Sequence, residues 1–321
     1  MHSRAVGSRG IRLTELSFGA ASLGNLYSET SDEDAAAAVA QAWSLGIRYF
    51  DTAPHYGLGL SERRLGAALA AYPRDEVVIS TKVGRLLVPN VPASEWDDDL
   101  FRVPGTLRRE WDFSRDGILR SVEDSLARLG TDHIDILYLH DPETSGIVGA
   151  AQTGATALIE LREQGVVGAV GIGSNSASAV AELFRQSDID IAMLAGRYTL
   201  LEQRGADEVF ESAGDRAVVA VGVFNSGLLS LARPPADAHY NYGQAPTEMI
   251  ARANDLADIV EAHGAILPQA ALAFPLRNPL VASVAIGMRT AAQVTRNVGL
   301  LEAGISPDVW RDLKSAGLLT A

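Results

Sequence analysis

The chain contains no cysteine. A sequence without thiols forms no disulfide framework, no thiolate metal site and no cysteine nucleophile. It also lacks an uninterrupted apolar run near the ~18 residues that a membrane span needs. The first ten residues, MHSRAVGSRG, include no apolar signal-peptide core. We therefore expect a cytoplasmic protein without a membrane partner.

Basic residues are also scarce. Lysine and arginine together number 27 against 40 aspartates and glutamates, which gives a formal net charge of -13. Such a surface repels a phosphate backbone over most of its area. We expect no nucleic-acid partner and favour a small-molecule substrate, while the composition makes no prediction about the oligomeric state.

The sequence does contain a regular alternation. Apolar runs rich in valine, isoleucine and tyrosine alternate with alanine-rich amphipathic segments along the 321 residues, a pattern typical of βα units. Eight such units predict an α/β fold, a (β/α)8 TIM barrel, as a single domain over residues 1–321. The expected strands are Leu16 to Ala20, Ile47 to Asp51, Val77 to Lys82, Ile134 to His140, Val167 to Ile172, Ile191 to Gly196, Val218 to Asn225 and Val281 to Ile286.

Segments outside these units predict further features. The stretch AVGSRGIRLTEL has a glycine-centred turn between short alternating runs, which indicates an N-terminal β-hairpin on the barrel floor. Two connections, Gly84 to Phe113 and Leu231 to Pro246 with Tyr240 and Tyr242, are too long for simple turns. Both follow a strand, so we expect long loops on the C-terminal face, where barrel enzymes build their sites.

Titratable side chains stand at the ends of three successive strands. The second strand runs into FDTAPHYG with Asp51 and Tyr56, the third ends in Lys82, and the fourth ends in His140. Each alone is as readily a surface charge, a turn former or a structural histidine. Neighbouring strand tips of a closed barrel lie about 5 Å apart, so this order predicts that the four side chains converge.

The four residue types together suit proton transfer. An ammonium at Lys82 stabilises a phenolate at Tyr56 and lowers the pKa of the phenol from near 10. Asp51 holds that ammonium protonated, and His140 can hydrogen-bond a substrate oxygen. With no serine nucleophile elbow and no clustered ligand set such as HExxH, we expect neither acyl transfer nor a metal site.

Three stretches carry a resemblance to a known family. GIRYFDTAPHYGLGLSERRLGAAL, STKVGR and LYLHDPE are similar to signature motifs of the aldo-keto reductases, which are NAD(P)-dependent (β/α)8 oxidoreductases, and the similarity extends over nearly the whole chain. The resemblance implies that Tyr56 is the acid/base, that Asp51 and Lys82 tune it, and that His140 places the carbonyl.

The remaining strand ends carry small and polar residues that suit a nicotinamide cofactor. A Rossmann site is not expected, because no GxGxxG opens a helix. Gly19 and Ala20 permit close approach of the flat nicotinamide ring. Ser174 and Asn175 offer donors and acceptors to its carboxamide, and Asp51 is a further expected cofactor contact. Phe224 can stack on the ring, with core packing as the alternative. Backbone amides for phosphate are expected from the turn that holds Asn225, Ser226, Gly227 and Leu229.

The last strand runs into IGMRTAAQVTRN, a glycine-containing turn and a helix start suited to an anion. Arg289, Gln293 and Asn297 follow Gly287 on one helical face, and the resemblance implies that they meet the adenosine. A 2'-phosphate calls for two or more cationic groups, and at 100° per residue Arg296 points away from that face. We therefore expect NAD, with NADP possible.

One strand departs from the pattern of the family. The sixth strand, LAGRYTLLEQ, has Leu194 and Ala195 where many members carry an Asn-Gln pair against the carboxamide. The same stretch resembles the branch that contains aldose 1-dehydrogenases acting on L-fucose and related sugars, and pyridoxal 4-dehydrogenase.

The function expected from these residues is hydride transfer between nicotinamide and a sugar hemiacetal or aldehyde carbon, most simply oxidation of an aldose at C1 to its lactone. Tyr27, Trp96 and Trp111 are expected as pocket walls beside Tyr56 and His140, because aromatic faces pack on sugar C–H edges. The alternatives are a pyridoxal 4-dehydrogenase, a general aldehyde or ketone reductase, a non-catalytic nicotinamide-binding redox sensor, and a barrel lyase or isomerase.

Overall fold

Eight parallel strands close into a barrel in the computed structural model, which describes residues 1–241 and 243–320. Each strand pairs with its predecessor, and the last pairs with the first, as Val284 to Gly287 align with Leu16 to Gly19. The (β/α)8 prediction is confirmed. The strands are β1 (Leu16–Gly19), β2 (Tyr49–Asp51), β3 (Val78–Val83), β4 (Ile136–His140), β5 (Ala169–Ser174), β6 (Ile191–Ala195), β7 (Ala217–Val221) and β8 (Val281–Gly287).

Helices surround the barrel, and three of them begin at serine caps. The hydroxyls of Ser31, Ser114 and Ser176 accept hydrogen bonds from the backbone amides three residues later. The helices are α1 (Asp32–Ser44), α2 (Leu60–Leu69), α3 (Arg115–Leu129), α4 (Ala150–Glu163), α5 (Ala177–Gln186), α6 (Ala206–Ala213), α7 (Thr247–Ala262), α8 (Leu267–Ala273), α9 (Ala291–Glu302) and α10 (Pro307–Ser315).

The amino-terminal end of the barrel is closed by a hairpin of Ser3–Val6 and Ile11–Thr14. Val6 and Leu13 of this hairpin are buried in one cluster with Tyr49 and other residues at the amino-terminal ends of the strands. The guanidinium of Arg4 donates to the carbonyl of Val281 over 2.8 Å. The predicted hairpin on the barrel floor is confirmed, and the opposite face is left for the site.

The connection after β3 is an ordered hairpin and not a loop. Arg85–Ser94 pairs antiparallel with Gly105–Trp111, so that Arg85 lies opposite Trp111 at the base. This connection follows a strand, as the sequence predicts. The connection after β7 contains a short hairpin of His239–Tyr240 and Gly243–Gln244, and Tyr242 lies outside the described residues.

Six of the eight strands end at other residues than expected, and two of these differences move candidate site residues out of a strand. β7 ends at Val221, because Gly222 takes a φ of 67° and turns the chain, so Phe224 and Asn225 lie in a turn. β1 ends at Gly19, and Ala20 begins the 3-10 helix Ala20–Gly24.

Membrane-spanning helices were sought throughout the two described ranges. No single helix there is long and apolar enough to cross a membrane; Thr247–Ala262 and Leu267–Arg277, bent by 95°, meet the length and composition criteria as a pair.

Candidate active site

Lys82 is the centre of the hydrogen-bonded group at the carboxyl-terminal mouth of the barrel. Its Nζ donates to Asp51 Oδ2 over 2.6 Å, to Tyr56 Oη over 3.0 Å and to the carbonyl of Thr52 over 3.0 Å. Lys82 and Asp51 are both almost fully buried. The three side chains come from the ends of β2 and β3 and from the loop after β2, as the strand-tip pattern predicts.

Burial and charge compete for the protonation states in this group. Burial alone would lower the pKa of Lys82, but the attraction of Asp51 and Tyr56 outweighs burial and raises it. Burial raises the pKa of Tyr56, and Lys82 offsets this in part. The sequence predicts that Lys82 lowers the pKa of Tyr56. That prediction is wrong for the net pKa shift, because burial outweighs the charge of Lys82. At neutral pH the lysine is an ammonium and Tyr56 is a phenol.

The Asp51 carboxylate is held from below by a buried chain of hydroxyls. Ser80 Oγ donates to Asp51 Oδ1 over 2.7 Å, and the phenol of Tyr49 lies 3.0 Å from Ser80 Oγ and 3.1 Å from the phenol of Tyr138. All of these side chains are inside the barrel. They orient one carboxylate oxygen toward Lys82, a support that the sequence does not predict.

His140 stands against the Tyr56 ring at the end of β4. The ring centroids are 5.8 Å apart and the planes are perpendicular. Burial, and then the charges of Arg85 and Lys82, lower the pKa of His140 well below its ordinary value. Its Nδ1 is buried without a partner in the part of the chain that the structure describes. A neutral imidazole beside a phenol is suited to hydrogen-bond a substrate oxygen that exchanges a proton with Tyr56.

A second polar group, which the sequence does not predict, adjoins these four residues and includes His55. Arg85 Nη2 donates to Asp141 Oδ2 over 2.5 Å, and Arg109 donates to the carbonyl and the Nδ1 of His55. Arg109 also binds both oxygens of Asp97, over 2.6 and 2.7 Å. Burial and the two arginines lower the pKa of His55 to about 2. Their positions in the sequence could have indicated Arg85 and Asp141, because Arg85 follows Lys82 by three residues and Asp141 follows His140 directly.

The predicted pocket walls lie at different distances from this group. Trp111 stacks under the guanidinium of Arg85, whose Cζ is 4.4 Å from a ring centroid. Trp96 and Tyr27 are 46% and 47% exposed, and the backbone amide of Tyr27 donates to Leu100. Phe101, which was not predicted, packs with its ring centroid 6.0 Å from that of Tyr56.

The residues predicted for the carboxamide and the ring are engaged to different degrees. Ser174 is buried and its hydroxyl donates to Glu143. Asn175 is exposed and its carbonyl accepts from Arg197 over 2.8 Å. Ala20 is fully buried, Gly19 is half-buried, and Phe224 is half-buried against two hydrophobic clusters. Their roles toward a cofactor stay predictions.

The turn after β7 uses most of the amides that were assigned to phosphate. The backbone amide of Asn225 donates to Gly222, and those of Gly227 and Leu229 both donate to Phe224. Asn225 and Ser226 have φ of 47° and 58°. Phosphate contacts by those three amides would need the turn to open. The side-chain Oδ1 of Asn225 is buried and has no partner within the described residues.

Arg289 binds the loop after β1. Its guanidinium donates to the carbonyls of Leu26 and Ser28, the latter over 2.8 Å, and to Thr30 Oγ1 over 3.1 Å. Its backbone amide donates to Gln293 Oε1.

The placement of Arg296 corrects the helical-wheel expectation. The guanidinium lies 3.4 Å from the Oδ1 of buried Asn297 and 3.4 Å from the carbonyl of Ser230. The side chain therefore bends toward its sequence neighbour Asn297 and the turn after β7. The helix predicts the direction of its Cβ, but the long aliphatic stem lets the charge reach groups on the adjacent face.

The fold and these contacts define a closed (β/α)8 barrel whose carboxyl-terminal mouth holds a buried lysine hydrogen-bonded to a carboxylate and a phenol. Residues 15–317 match the model of the aldo/keto reductase family. The chain belongs to that family, and it is accordingly a nicotinamide-dependent oxidoreductase acting on small molecules.

Individual relatives agree over almost the full length. A D-threo-aldose 1-dehydrogenase from Pseudomonas sp is 47% identical over 320 residues, covering 98% of this chain and 97% of the relative. A pyridoxal 4-dehydrogenase from Microbacterium luteolum is 39% identical, with 99% and 98% covered. The solved structure of aldo-keto reductase AKR11C1 from Bacillus halodurans is similar with a TM-score of 0.77 and 27% identity, covering 100% of this chain and 97% of that one.

The residues around the mouth fit a nicotinamide cofactor. Asn225 Oδ1 is a buried acceptor without a protein partner in the described ranges, which suits an amide or hydroxyl donor. A Cβ built on Gly287 meets no atom within 4 Å, so the backbone there is open to a ligand. Asn225 and Gly287 would hold the cofactor on the β7 and β8 side, opposite the proton-handling residues.

Proposed function

We propose that the enzyme oxidises an aldose such as L-fucose at C1, converting the hemiacetal to the lactone. The observation that carries the proposal is the 3.0 Å hydrogen bond from Lys82 to Tyr56 beside a neutral His140. The near full-length similarity to a D-threo-aldose 1-dehydrogenase supports the sugar as substrate. Bound nicotinamide supplies the acceptor for the hydride that leaves C1.

The residues of the chain handle the proton of the C1 hydroxyl. His140 hydrogen-bonds the C1 oxygen and orients it toward Tyr56. The phenolate of Tyr56 takes the hydroxyl proton while the C1–O bond becomes a carbonyl, and Lys82 stabilises the phenolate before that transfer. Because burial raises the pKa of Tyr56, oxidation is expected to accelerate as the pH rises above neutral.

Absorbance of reduced nicotinamide tests the proposal directly. The protein is mixed with NAD and a panel of aldoses, with pyridoxal and with simple aldehydes plus reduced cofactor. The expected result is aldose oxidation with a specificity constant above those for pyridoxal and for the simple aldehydes. Preferred turnover of pyridoxal, which the 39% identical relative makes the second candidate, would overturn the sugar assignment. Cofactor binding without any turnover would indicate a redox sensor.

NAD is the preferred form of the cofactor in this proposal. The guanidinium of Arg289 already donates to three oxygens of the loop after β1, so taking a 2'-phosphate would cost those bonds. Arg296 is the cation that could counter this, since it lies beside Asn297. Steady-state kinetics with one aldose compare the two forms, and a larger specificity constant for NADP refutes the preference. Arg296→Ala then shows whether that arginine serves the phosphate.

A further inference from the structure

We propose that Arg85 and Asp141 form a hydroxyl-binding pair that recognises the substrate beyond the reacting carbon. The inference rests on the proposed function, because it assigns the residues that distinguish a polyhydroxylated substrate from a plain aldehyde. For brevity the two residues are called the Arg85–Asp141 pair.

The pair lies directly beside His140, one of the residues proposed to handle the proton. Asp141 Oδ2 accepts from Arg85 Nη2 over 2.5 Å and lies 3.7 Å from His140 Nε2. His140 in turn stands perpendicular to Tyr56. In this proposal a substrate whose C1 oxygen lies between Tyr56 and His140 places its next carbons beside the pair.

Arg85 keeps hydrogen-bonding capacity that the protein does not use. Arg85 Nε is buried and has no partner among the residues described, and the same holds for the neighbouring His140 Nδ1. The side chains of Arg85 and Asp141 are 12% and 23% exposed, so water reaches them poorly. A buried donor left unpaired is costly. A ligand hydroxyl, which both accepts and donates, can satisfy Arg85 and at the same time donate to Asp141.

The charge balance favours a neutral hydroxyl over an anionic group. Arg85 is neutralised by Asp141, and Arg109 is neutralised by Asp97 through two bonds, while Asp99 lies 3.6 Å from the ring of uncharged His55. No excess positive charge is left in this group for a carboxylate or phosphate. The Trp111 face beneath Arg85 adds an apolar surface for sugar C–H edges.

The backbone at Asp141 supports a dedicated orientation of its carboxylate. Asp141 has φ 44° and ψ 53°, the left-handed region that few residues other than glycine occupy. Its amide donates to the carbonyl of Gly173 on β5. This conformation turns the chain directly after His140. It directs the carboxylate toward the hairpin after β3, where Arg85 lies.

The test compares two aldehydes of the same chain length in the reductive direction. Glyceraldehyde carries two hydroxyls and propionaldehyde carries none. Arg85→Lys keeps the charge but loses the planar fork, and Asp141→Asn keeps the shape but loses the negative acceptor. Each variant is expected to lower the ratio of kcat/KM for glyceraldehyde to that for propionaldehyde by about 10-fold or more, mainly through KM, since a charge-assisted hydrogen bond is lost.

Arg108→Lys is the matched control, because Arg108 lies on the same hairpin, is half exposed and pairs with Glu110. Its ratio should equal that of the wild type, and thermal unfolding checks that all variants fold. Equal losses for both aldehydes, or a fall confined to kcat, would overturn the pair as a hydroxyl site. The two proposals can fail separately. If the wild type oxidises no aldose but the two variants still lower the ratio, the proposed function is refuted and the pair is supported as a hydroxyl site.

Discussion

On the β2 to β4 side of the barrel mouth the candidate site side chains bond to one another, whereas on the β7 to β8 side they bond separately to neighbouring loops. Lys82 joins Asp51 and Tyr56 in one buried group, with Ser80 supporting the carboxylate. Across the mouth, Arg289 donates to the loop after β1.

The difference follows from what each half must hold in place. A proton relay works only at fixed short distances, so its members must be positioned by the protein before the substrate arrives. Groups that contact a large ligand can be fixed one at a time, each by a separate loop. In the part of the chain described, Asn225 Oδ1 on this second side is buried without a partner.

The largest effect on this comparison is expected from Lys82→Met. Removing one member of a pair in which both side chains are about 95% buried leaves Asp51 charged and unpaired, which typically costs about 3–5 kcal/mol. Urea unfolding measures the loss, and the double variant Asp51→Asn with Lys82→Met should recover much of it. A single variant as stable as the wild type would show that the relay half is not held by this pair.

Tyr56→Phe tests the chemistry of the same half. The change removes the proton-carrying hydroxyl but little volume, so cofactor binding should persist while turnover falls at least ~10²-fold. Tyr138→Phe is the matched control, since it removes another buried phenol, which contacts Tyr49 and not the mouth. Cofactor affinity is followed by fluorescence titration and turnover by absorbance. Similar losses in the two variants would point to a structural cause.

Ser80→Ala probes the support beneath Asp51. It leaves one carboxylate oxygen without its buried donor and should cost roughly 1–3 kcal/mol of unfolding free energy. Ser121→Ala is the control, because the hydroxyl of Ser121 is equally buried but has no partner among the described residues, and its loss should be close to neutral. The denaturant midpoints of the two variants decide, and equal midpoints would contradict the support.

The smallest expected effect is a pH dependence at the Arg85–Asp141 pair. The pKa of Asp141 is raised to about 6, because burial, helped by Glu143, outweighs the lowering by Arg85 and Lys82. Above that pH the carboxylate is charged and accepts from Arg85 and a hydroxyl; below it the acid is neutral and both bonds weaken. KM for glyceraldehyde should rise several-fold as the pH falls from 7 to 5, while KM for propionaldehyde stays flatter. His55 does not titrate in this window, because its pKa is lowered to about 2, and burial holds the pKa of His140 well below its ordinary value. A dependence that persists in Asp141→Asn would assign the titration to another group.

The sequence predicts the first half of the site far better than the second. Asp51, Lys82 and His140 are readable because they end successive strands, and a closed barrel brings strand ends together whatever the loops do. Arg109 and His55 are 54 residues apart in the sequence. Their hydrogen bond depends on the register of the hairpin after β3, in which Arg109 lies opposite Leu87. That register is a non-local property, so spacing along the chain does not reveal it.

By itself the sequence determined the alternation that closes the barrel, the serine caps that begin three helices and the strand ends that carry the relay, because these depend on local pattern and on the geometry common to every such barrel. The tertiary structure alone decided the partner of each charge and the balance of its pKa. Arg296 bends toward the carbonyl of Ser230 in the turn after β7, and burial of Tyr56 outweighs the charge of Lys82. Both outcomes depend on the packing of distant segments, since desolvation is set by everything that surrounds a group.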